Sequence, residues 1–307
     1  MNLAKESLRL LHPFVSQALH RVRRRQTRLM MDVARRTLFA PRPDDIFLVS
    51  YPKSGTTLLQ MILYQLTTEG EVDFPHIEAR IPWYDLAVLS GRAAMLEQAP
   101  SPRVFKSHAR SGQLPEVGRY IYIARDVRDV ALSSFHHYSL VSGVDQELEP
   151  FLLQFFRGRF MFGSWFEHIA SWWPRRQDTD VLFLTFEGLV GDLEGGIREI
   201  AHFCGLPIDE DRLPRILECC SLPFMRRHNQ LFDPRRRRVT STPAPSWMED
   251  DVESVIWSDA QSETFGTHFR DLVSALGADV DDPKLAELAS WGRRRPAEAS
   301  QRLEVAP

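Results

Sequence analysis

The stretch Ser50-Tyr51-Pro52-Lys53-Ser54-Gly55-Thr56-Thr57-Leu58-Leu59 decides the fold of this chain. The apolar run Ile46-Phe47-Leu48-Val49 before it is typical of a buried strand, and apolar side chains recur at helical spacing from Leu58 to Leu66. A strand therefore passes through a tight, glycine-containing turn into a helix. Such a turn points backbone N–H groups at one spot, where the helix dipole adds positive potential. The charge of Lys53 and the hydroxyls of Thr56 and Thr57 complete a predicted cradle for an anionic group such as a phosphate.

A second apolar run, Arg119-Tyr120-Ile121-Tyr122-Ile123-Ala124, also predicts a buried strand, and it leads into a charged segment. Arg125 at the strand end and Ser133 on the following helix are placed to face one anion. A guanidinium suits phosphate because it donates two parallel hydrogen bonds. Asp126 and Asp129 fall in the first turn of the helix, where their charges offset its dipole.

The order of residues in the first loop resembles that of one enzyme family. The usual nucleotide-hydrolase loop reads G-x-x-x-x-G-K-[ST], whereas Lys53 here precedes Gly55. The loop instead resembles the 5′-phosphosulfate loop of the cytosolic-type sulfotransferases, whose donor is 3′-phosphoadenosine 5′-phosphosulfate. Residues 125–133 resemble the family's 3′-phosphate segment, Arg-Asn-x-Lys-Asp-x-x-x-Ser. Val104-Phe105-Lys106-Ser107-His108 resembles its strand that ends Lys-Thr-His.

Further segments extend the resemblance from about residue 44 to about residue 229, more than half of the chain. Residues 162–173 resemble the family's Gly-Ser-Trp helix with its paired tryptophans. The spacing of Trp165 and Trp172 puts both rings on one helical face, which favours core packing. Residues 181–189 resemble the family's next strand and its Tyr-Glu-Asp-Leu end.

The resemblance implies a role for each matching residue. His108 is the general base that takes the proton from the acceptor, a task that suits histidine because its ordinary pKa lies near working pH. Lys53 and Lys106 neutralise charge on the transferring group and the leaving phosphate. Ser133 joins these three as a catalytic residue and fixes the 3′-phosphate with Arg125. The implied donor-binding residues are Lys53, Ser54, Gly55, Thr56, Thr57, Leu58, Arg125, Ser133, Phe186, Cys220, Ser221 and Met225.

The acceptor pocket is expected in the apolar segment before the histidine strand and on the helix after Ser133. An aromatic lining predicts a small, hydrophobic acceptor that offers a hydroxyl or an amine. We expect no metal, because the sequence contains no evident cluster of metal ligands. The expected acceptor-binding residues are Phe74, His76, Ile81, Pro82, Trp83, Phe135 and His136.

Three departures from the family pattern leave alternatives open. Leu58 stands where the family stacks the adenine on a tryptophan, and Phe186 stands in place of an adenine-contacting tyrosine. The family's closing Arg-Lys-Gly segment is absent, and residues 248–251 at the corresponding place carry three carboxylates. The four arginines at 235–238 are a candidate substitute. The alternatives are a small-molecule or nucleotide kinase, and a non-catalytic nucleotide-binding relative that has lost donor closure.

Composition fits one globular enzyme of 307 residues with 43% hydrophobic residues. The net charge of −3 gives no general attraction to nucleic acid. Three cysteines form neither a disulfide framework nor a zinc-like spacing, so we expect a reducing, cytoplasmic location. No run of 18 apolar residues predicts a membrane-spanning helix.

The two ends of the chain differ from its centre. Residues 1–43 predict a basic, amphipathic helical extension, which either packs on the domain or makes weak contact with an anionic membrane surface. Residues 44–292 form the expected sulfotransferase domain, and residues 293–307 form an expected disordered tail.

The strands expected at 46–50, 104–107, 119–124 and 181–186 alternate with helices. This alternation predicts an α/β fold, with a P-loop-like parallel sheet flanked by helices on both faces. Ligands bind at the carboxyl ends of the strands in such sheets. Because the three chemical segments lie at such ends, we expect them to form one site.

Overall fold

The computed structural model describes residues 38–142, 147–233, 257–279 and 282–288, together with Val22, Arg25, Gln26, Leu29, Met30 and Val33. The strands are β1 Ile46–Ser50, β2 Val104–Ser107, β3 Arg119–Ala124 and β4 Val181–Thr185. The helices are α1 Thr56–Thr67, α2 Tyr84–Leu89, α3 Ala93–Leu96, α4 Val127–Ser142, α5 Leu148–Phe156, α6 Trp165–Trp172, α7 Phe186–Gly191, α8 Leu193–Cys204, α9 Leu213–Cys220, α10 Leu222–Arg227, α11 Asp259–Ala275 and α12 Pro283–Leu288.

The four strands form one parallel sheet in the order β2-β1-β3-β4. Ile46 pairs in register with Val104 on one side and with Arg119 on the other. All four carboxyl ends therefore reach the same edge of the sheet. The loops that follow β1, β2 and β3 meet there, and they contain the three segments that the sequence singles out.

The sheet is buried on both faces, as the alternation along β1 demonstrates. Phe47 and Val49 join a core cluster with helices α2 to α6 and α11, whereas Ile46 and Leu48 join a second cluster with α1 and α8 to α10. Strands covered on both sides require near-continuous apolar runs, which these sequences have. The predicted α/β fold with helices on both faces is confirmed.

One predicted boundary differs from the structure. The fourth strand was expected to include Phe186, but β4 ends at Thr185 and Phe186 begins α7. The Thr185 hydroxyl accepts a hydrogen bond from the Gly188 N–H at 3.2 Å and so caps the helix. This early stop turns the Phe186 ring toward the loop after β1.

Several predictions fall on residues outside the described ranges. These are most of the extension at 1–43, the arginines at 235–238, the acidic segment at 248–251 and the tail at 293–307. The apolar side chains described between residues 22 and 33 of the extension, Val22, Leu29, Met30 and Val33, are all exposed. Among the described residues, none of the helices combines the length and apolar character needed to cross a bilayer.

Candidate active site

The loop after β1 has the backbone of an anion cradle. Lys53 adopts a left-handed conformation with φ 72°, and Gly55 follows with φ 101°. A Cβ on Gly55 would lie 2.5 Å from the Phe186 ring, so the position needs glycine for both space and conformation. Alternating backbone conformations of this kind turn successive N–H groups toward one point. The N-terminus of α1 at Thr56 adds its dipole to that point.

Two polar atoms at this loop fit a phosphate-containing ligand. Neither the buried Ser54 Oγ nor the Arg125 Nε has a hydrogen-bond partner in the described part of the chain. A buried polar atom without a partner costs free energy, and an anionic oxygen satisfies both groups. The residues present therefore fit the phosphate groups of a nucleotide donor.

Arg125 joins the first loop to the second segment. Its Nη1 donates to the Lys53 carbonyl at 3.3 Å, and its guanidinium stacks on the Phe186 ring, with 4.6 Å between Cζ and the ring centre. Asp129 on α4 pairs with Nη2 at 3.3 Å. Burial, with the nearby Asp129 charge, raises the pKa of Asp126 to about 7. Ser133 is half-buried on α4, about two helical turns beyond Arg125.

His108, just beyond β2, is oriented as a proton acceptor. Its Nδ1 lies 2.9 Å from the Ser50 carbonyl oxygen, so Nδ1 must be the donor and the neutral ring has its lone pair on Nε2. Burial, followed by the positive charges of Lys106 and Lys53, lowers its pKa well below the ordinary value. The ring is consequently neutral, and ready to accept a proton, at physiological pH.

Asp85 on α2 fixes the backbone around this histidine, and no motif in the sequence predicts this contact. Its Oδ2 accepts hydrogen bonds from the His108 N–H at 2.6 Å and from the Trp83 indole at 2.9 Å. Its Oδ1 accepts from the Ser107 hydroxyl at 2.8 Å. Burial raises the pKa of Asp85 despite these donors. Asp85 therefore ties the histidine strand to the expected acceptor segment.

Helix α6 holds the same segment from the other side. His168 Nε2 lies 3.2 Å from the His108 carbonyl and its Nδ1 lies 2.9 Å from the Tyr122 hydroxyl. Trp172 donates its indole N–H to the Ala109 carbonyl at 3.2 Å. Burial lowers the pKa of His168 to about 3, so this ring stays neutral. The helix packs in the core, as expected from its spacing, and also positions the His108 backbone.

Lys106 lies at the same edge but is paired with a carboxylate. Its Nζ is 2.9 Å from Glu78 Oε1, and both side chains are 12% exposed. The ammonium also lies over the Trp83 ring, 4.7 Å from its centre. Burial lowers the pKa of Lys106 to about 8, although the Asp85 charge opposes this shift. Glu78 belongs to the expected acceptor segment, but the apolar pattern of that segment does not predict its contact with Lys106.

The Lys106 shift predicts a basic limb in the pH profile. The ammonium is the charged form below its pKa, so kcat/KM for the donor should fall as pH rises through about 8. Because the His108 pKa is lowered, no acidic limb is expected near its ordinary value of about 6.5. Lys106→Arg, which stays charged, should lose the basic limb even if its rate is lower. An unchanged limb in that variant would contradict the assignment.

The expected adenine-side residues lie together on the other core cluster. Leu58, Cys220 and Met225 are buried in it, and Phe186 packs against it. The Ser221 hydroxyl caps α10 by accepting from the Phe224 N–H at 3.2 Å. These placements are compatible with the predicted donor contacts, which stay predictions.

The expected acceptor residues do not all lie beside His108. The Trp83 ring meets the His108 ring edge-on at 5.2 Å between centres, and the Pro82 carbonyl accepts from the Lys106 N–H at 2.9 Å. Phe74 and Ile81 are instead buried in the core cluster that contains α1. Their contact with an acceptor stays a prediction.

The remaining acceptor candidates are partly buried, and a further aromatic ring lies beside His108. Phe135 packs on Phe151, and His136 follows it on α4. The His76 Nδ1 accepts from the Glu78 N–H at 3.2 Å. Phe162, which was expected only to mark the Gly-Ser-Trp segment, meets the His108 ring at 5.1 Å between centres. No sequence signal separated this ring from the core aromatics around it.

A loop that fits an anion, a stacked arginine and a buried, neutral histidine therefore meet at the carboxyl edge of a parallel sheet. The fold is a P-loop-like sheet of the α/β class. A family model described as the sulfotransferase domain matches residues 43–243. The chain belongs to the sulfotransferase family.

Individual relatives agree with this membership. Mouse sulfotransferase 1B1 is 33% identical over 202 residues, which cover 61% of this chain and 67% of the relative. Human sulfotransferase 1E1 is 31% identical over 200 residues, which cover 61% of this chain and 68% of the relative. The predicted family is confirmed.

Solved structures share the fold at lower identity. A mouse sulfotransferase crystallised with PAP has a TM-score of 0.64 and 22% identity, and the match covers 86% of this chain and 92% of that one. A retinol dehydratase crystallised with retinol and PAP has the same TM-score of 0.64 and the same identity of 22%. The match covers 80% of this chain and 85% of the dehydratase. These likenesses confirm the predicted P-loop-like sheet.

Proposed function

We propose that this protein transfers a sulfuryl group from 3′-phosphoadenosine 5′-phosphosulfate to a hydroxyl or amine of a small hydrophobic acceptor. One observation carries the proposal: Ser50 links the base to the anion cradle. Its carbonyl accepts from His108 Nδ1, and its hydroxyl lies 2.5 Å from the Thr56 hydroxyl at the start of α1. The group that removes a proton and the loop that binds an anion are thereby fixed to the same residue.

The residues of this edge have complementary tasks in an in-line transfer. When bound, the donor supplies a sulfuryl group attached to a phosphate leaving group. His108 Nε2 takes the proton from the acceptor O–H or N–H, as a new S–O or S–N bond forms and the bond between sulfur and the phosphate oxygen breaks. Lys53 and Lys106 offset the negative charge that builds up on the leaving oxygen.

Recognition of the donor is assigned to the second segment. We propose that Arg125 and Ser133 hold the 3′-phosphate, while the cluster of Leu58, Cys220, Met225 and Phe186 holds the adenine. The guanidinium is fixed by Phe186 and the Lys53 carbonyl, so little side-chain entropy is lost on binding. PAP in the mouse sulfotransferase structure and in the retinol dehydratase structures supports a nucleotide of this kind.

The acceptor is assigned to the aromatic side of His108. Trp83 and Phe162 both contact the base, and rings of this kind exclude water from a reacting hydroxyl. The retinol dehydratase structures contain androsterone or retinol, which are small hydrophobic alcohols. We therefore propose that this chain also acts on a hydrophobic acceptor. The proposed step requires no metal.

Thermal shift tests the donor assignment. We expect 3′,5′-bisphosphoadenosine to raise the Tm more than adenosine 5′-phosphate does, and ATP with magnesium to raise it little. Arg125→Ala should lower the affinity for the bisphosphate by about tenfold or more, because it removes a charge-assisted contact with the 3′-phosphate. The affinity for adenosine 5′-phosphate should change little. Arg157→Ala, at an exposed arginine, is the matched control.

Two results of the thermal shift would overturn the donor assignment. A larger shift with ATP and magnesium would favour a kinase. If Arg125→Ala lost equal affinity for both adenosine nucleotides, Arg125 would not recognise the 3′-phosphate.

A further inference from the structure

An exposed apolar surface lies on the basic extension that precedes the sulfotransferase domain. The described residues from Val22 to Val33 have helical backbone, and Val22, Leu29 and Met30 are 63%, 63% and 41% exposed. A helix that packs on a domain turns its apolar side chains toward the domain and buries them. This part of the extension therefore presents its apolar side chains at the surface of the protein instead of packing them on the domain.

These side chains form one stripe along the helix. At about 100° per residue, Leu29 and Val33 lie within about 20° of Val22 around the helix axis, and Met30 lies about 80° from Val22. The sequence carries the same spacing toward the N-terminus, with apolar residues at Leu8, Leu11, Val15 and Leu19. A long, narrow apolar stripe suits a helix that lies flat on an apolar layer.

Positive charge is concentrated on the same segment. Residues 21–36 contain seven arginines and one acidic residue, although the whole chain has a net charge of −3. Helical spacing puts Arg25, which is exposed, on one flank of the stripe and Arg23 on the other. Arginines at the flanks of an apolar stripe extend their charged ends past it, toward polar groups beside an apolar layer. The surface that fits this segment is therefore both apolar and negatively charged.

Other occupants match only half of this surface. A nucleic acid offers phosphates to the arginines but leaves the apolar stripe in contact with water. A second copy of the extension covers the stripe but brings its own seven arginines against the first seven, and like charges repel. An anionic phospholipid membrane satisfies both features, because its headgroups are charged and the acyl boundary below them is apolar.

We propose that the extension binds to the surface of anionic phospholipid membranes, with its apolar stripe at the acyl boundary and its arginines among the headgroups. The stripe supplies the attachment and the arginines select anionic lipid. Attachment brings the domain to a layer in which hydrophobic acceptors of the proposed kind concentrate. The inference itself does not rest on the proposed function, because residues 22–33 lie outside the matched sulfotransferase domain.

Co-sedimentation of the full chain with vesicles tests the proposal. One set of vesicles contains phosphatidylcholine alone, and the other contains an equimolar mixture of phosphatidylcholine and phosphatidylserine. We expect binding to the mixed vesicles to be at least about tenfold tighter, and to weaken as the salt concentration is raised. Equal binding to both sets of vesicles, or binding to neither, would overturn the proposal.

Two double variants separate the contribution of the stripe from that of the charge. Val22→Ser with Leu29→Ser leaves every charge in place and should weaken binding to the mixed vesicles by about tenfold or more. Arg24→Gln with Arg28→Gln leaves the stripe in place and should cause a similar loss of binding to the mixed vesicles alone. Undiminished binding in the serine variant would mean that the stripe does not enter the membrane, and would also overturn the proposal.

Exposed side chains of the domain provide matched controls. Met95→Ser with Leu153→Ser removes two exposed apolar side chains, and Arg92→Gln with Arg157→Gln removes two exposed charges. Neither pair should change binding to the vesicles, and an unchanged Tm shows that the domain of each variant is folded. An equal loss of binding in the control pairs would contradict a site on the extension. A dimer that forms without lipid and that the serine variant dissociates would assign the stripe to a contact between copies instead.

Discussion

Replacing His108 by alanine is expected to lower kcat by about 10²–10⁴-fold, because the acceptor then loses its general base. The affinity for 3′,5′-bisphosphoadenosine should stay nearly unchanged, since the ring faces the acceptor side and Ser50, not the stacked arginine. Single-turnover rates and calorimetry on the same protein measure the two quantities. The combination of a lost rate and an intact nucleotide site distinguishes a base from a structural histidine.

His202→Ala is a suitable control, because that histidine is exposed at the end of α8. His168→Ala is the more demanding comparison, since His168 reaches the His108 segment through the His108 backbone carbonyl and not through the His108 ring. It should lower the rate less than His108→Ala, because the base itself remains. If the His108→Ala protein kept more than about a third of the wild-type rate, His108 would not be the base.

The second large effect is expected at Lys53. Lys53→Ala should weaken binding of 3′,5′-bisphosphoadenosine and also lower kcat by about 10²–10³-fold, because its charge acts on both the bound phosphate and the leaving group. Alanine keeps a Cβ at φ 72°, so the backbone of the loop is no more relaxed than in the parent. Nucleotide affinity and the single-turnover rate are the two measurements.

Lys53→Arg is the matched variant that retains the charge. A planar guanidinium cannot replace a compact ammonium in a tight turn, so the rate should recover only in part. Unchanged binding and unchanged turnover in Lys53→Ala would show that the anion does not lie in this loop.

The sequence predicted the sheet well because its strands are buried on both faces. Ile46 to Val49 is a short apolar run, unlike the alternating pattern of a half-exposed strand, and the glycine turn that follows it favours a strand over a buried helix. The end of β4 was misjudged by one residue, because the Thr185 side chain caps a helix there. Apolar content alone cannot detect such a cap.

The site was less predictable, because its remaining parts depend on contacts between distant segments. Asp85 and His168 hold the His108 backbone from two different helices, across 23 and 60 residues of sequence. Phe74 and Ile81 are buried in a core cluster, and apolar composition alone does not distinguish such positions from a pocket wall. Glu78 reaches Lys106 only because the segment before α2 pairs with the edge of β2. None of these contacts has a local pattern in the sequence.

Sulfuryl transfer at the edge formed by Ser50, Lys53, Lys106 and His108 can be measured in a single turnover. The donor is 3′-phosphoadenosine 5′-phosphosulfate labelled with radioactive sulfur, and the enzyme is in excess over a panel of phenols, alcohols and amines. We expect label on an acceptor with wild-type protein, and transfer at least about a hundredfold slower with His108→Ala. Donor that binds but transfers label to no acceptor, or transfer that is equally fast in both proteins, would contradict the claim.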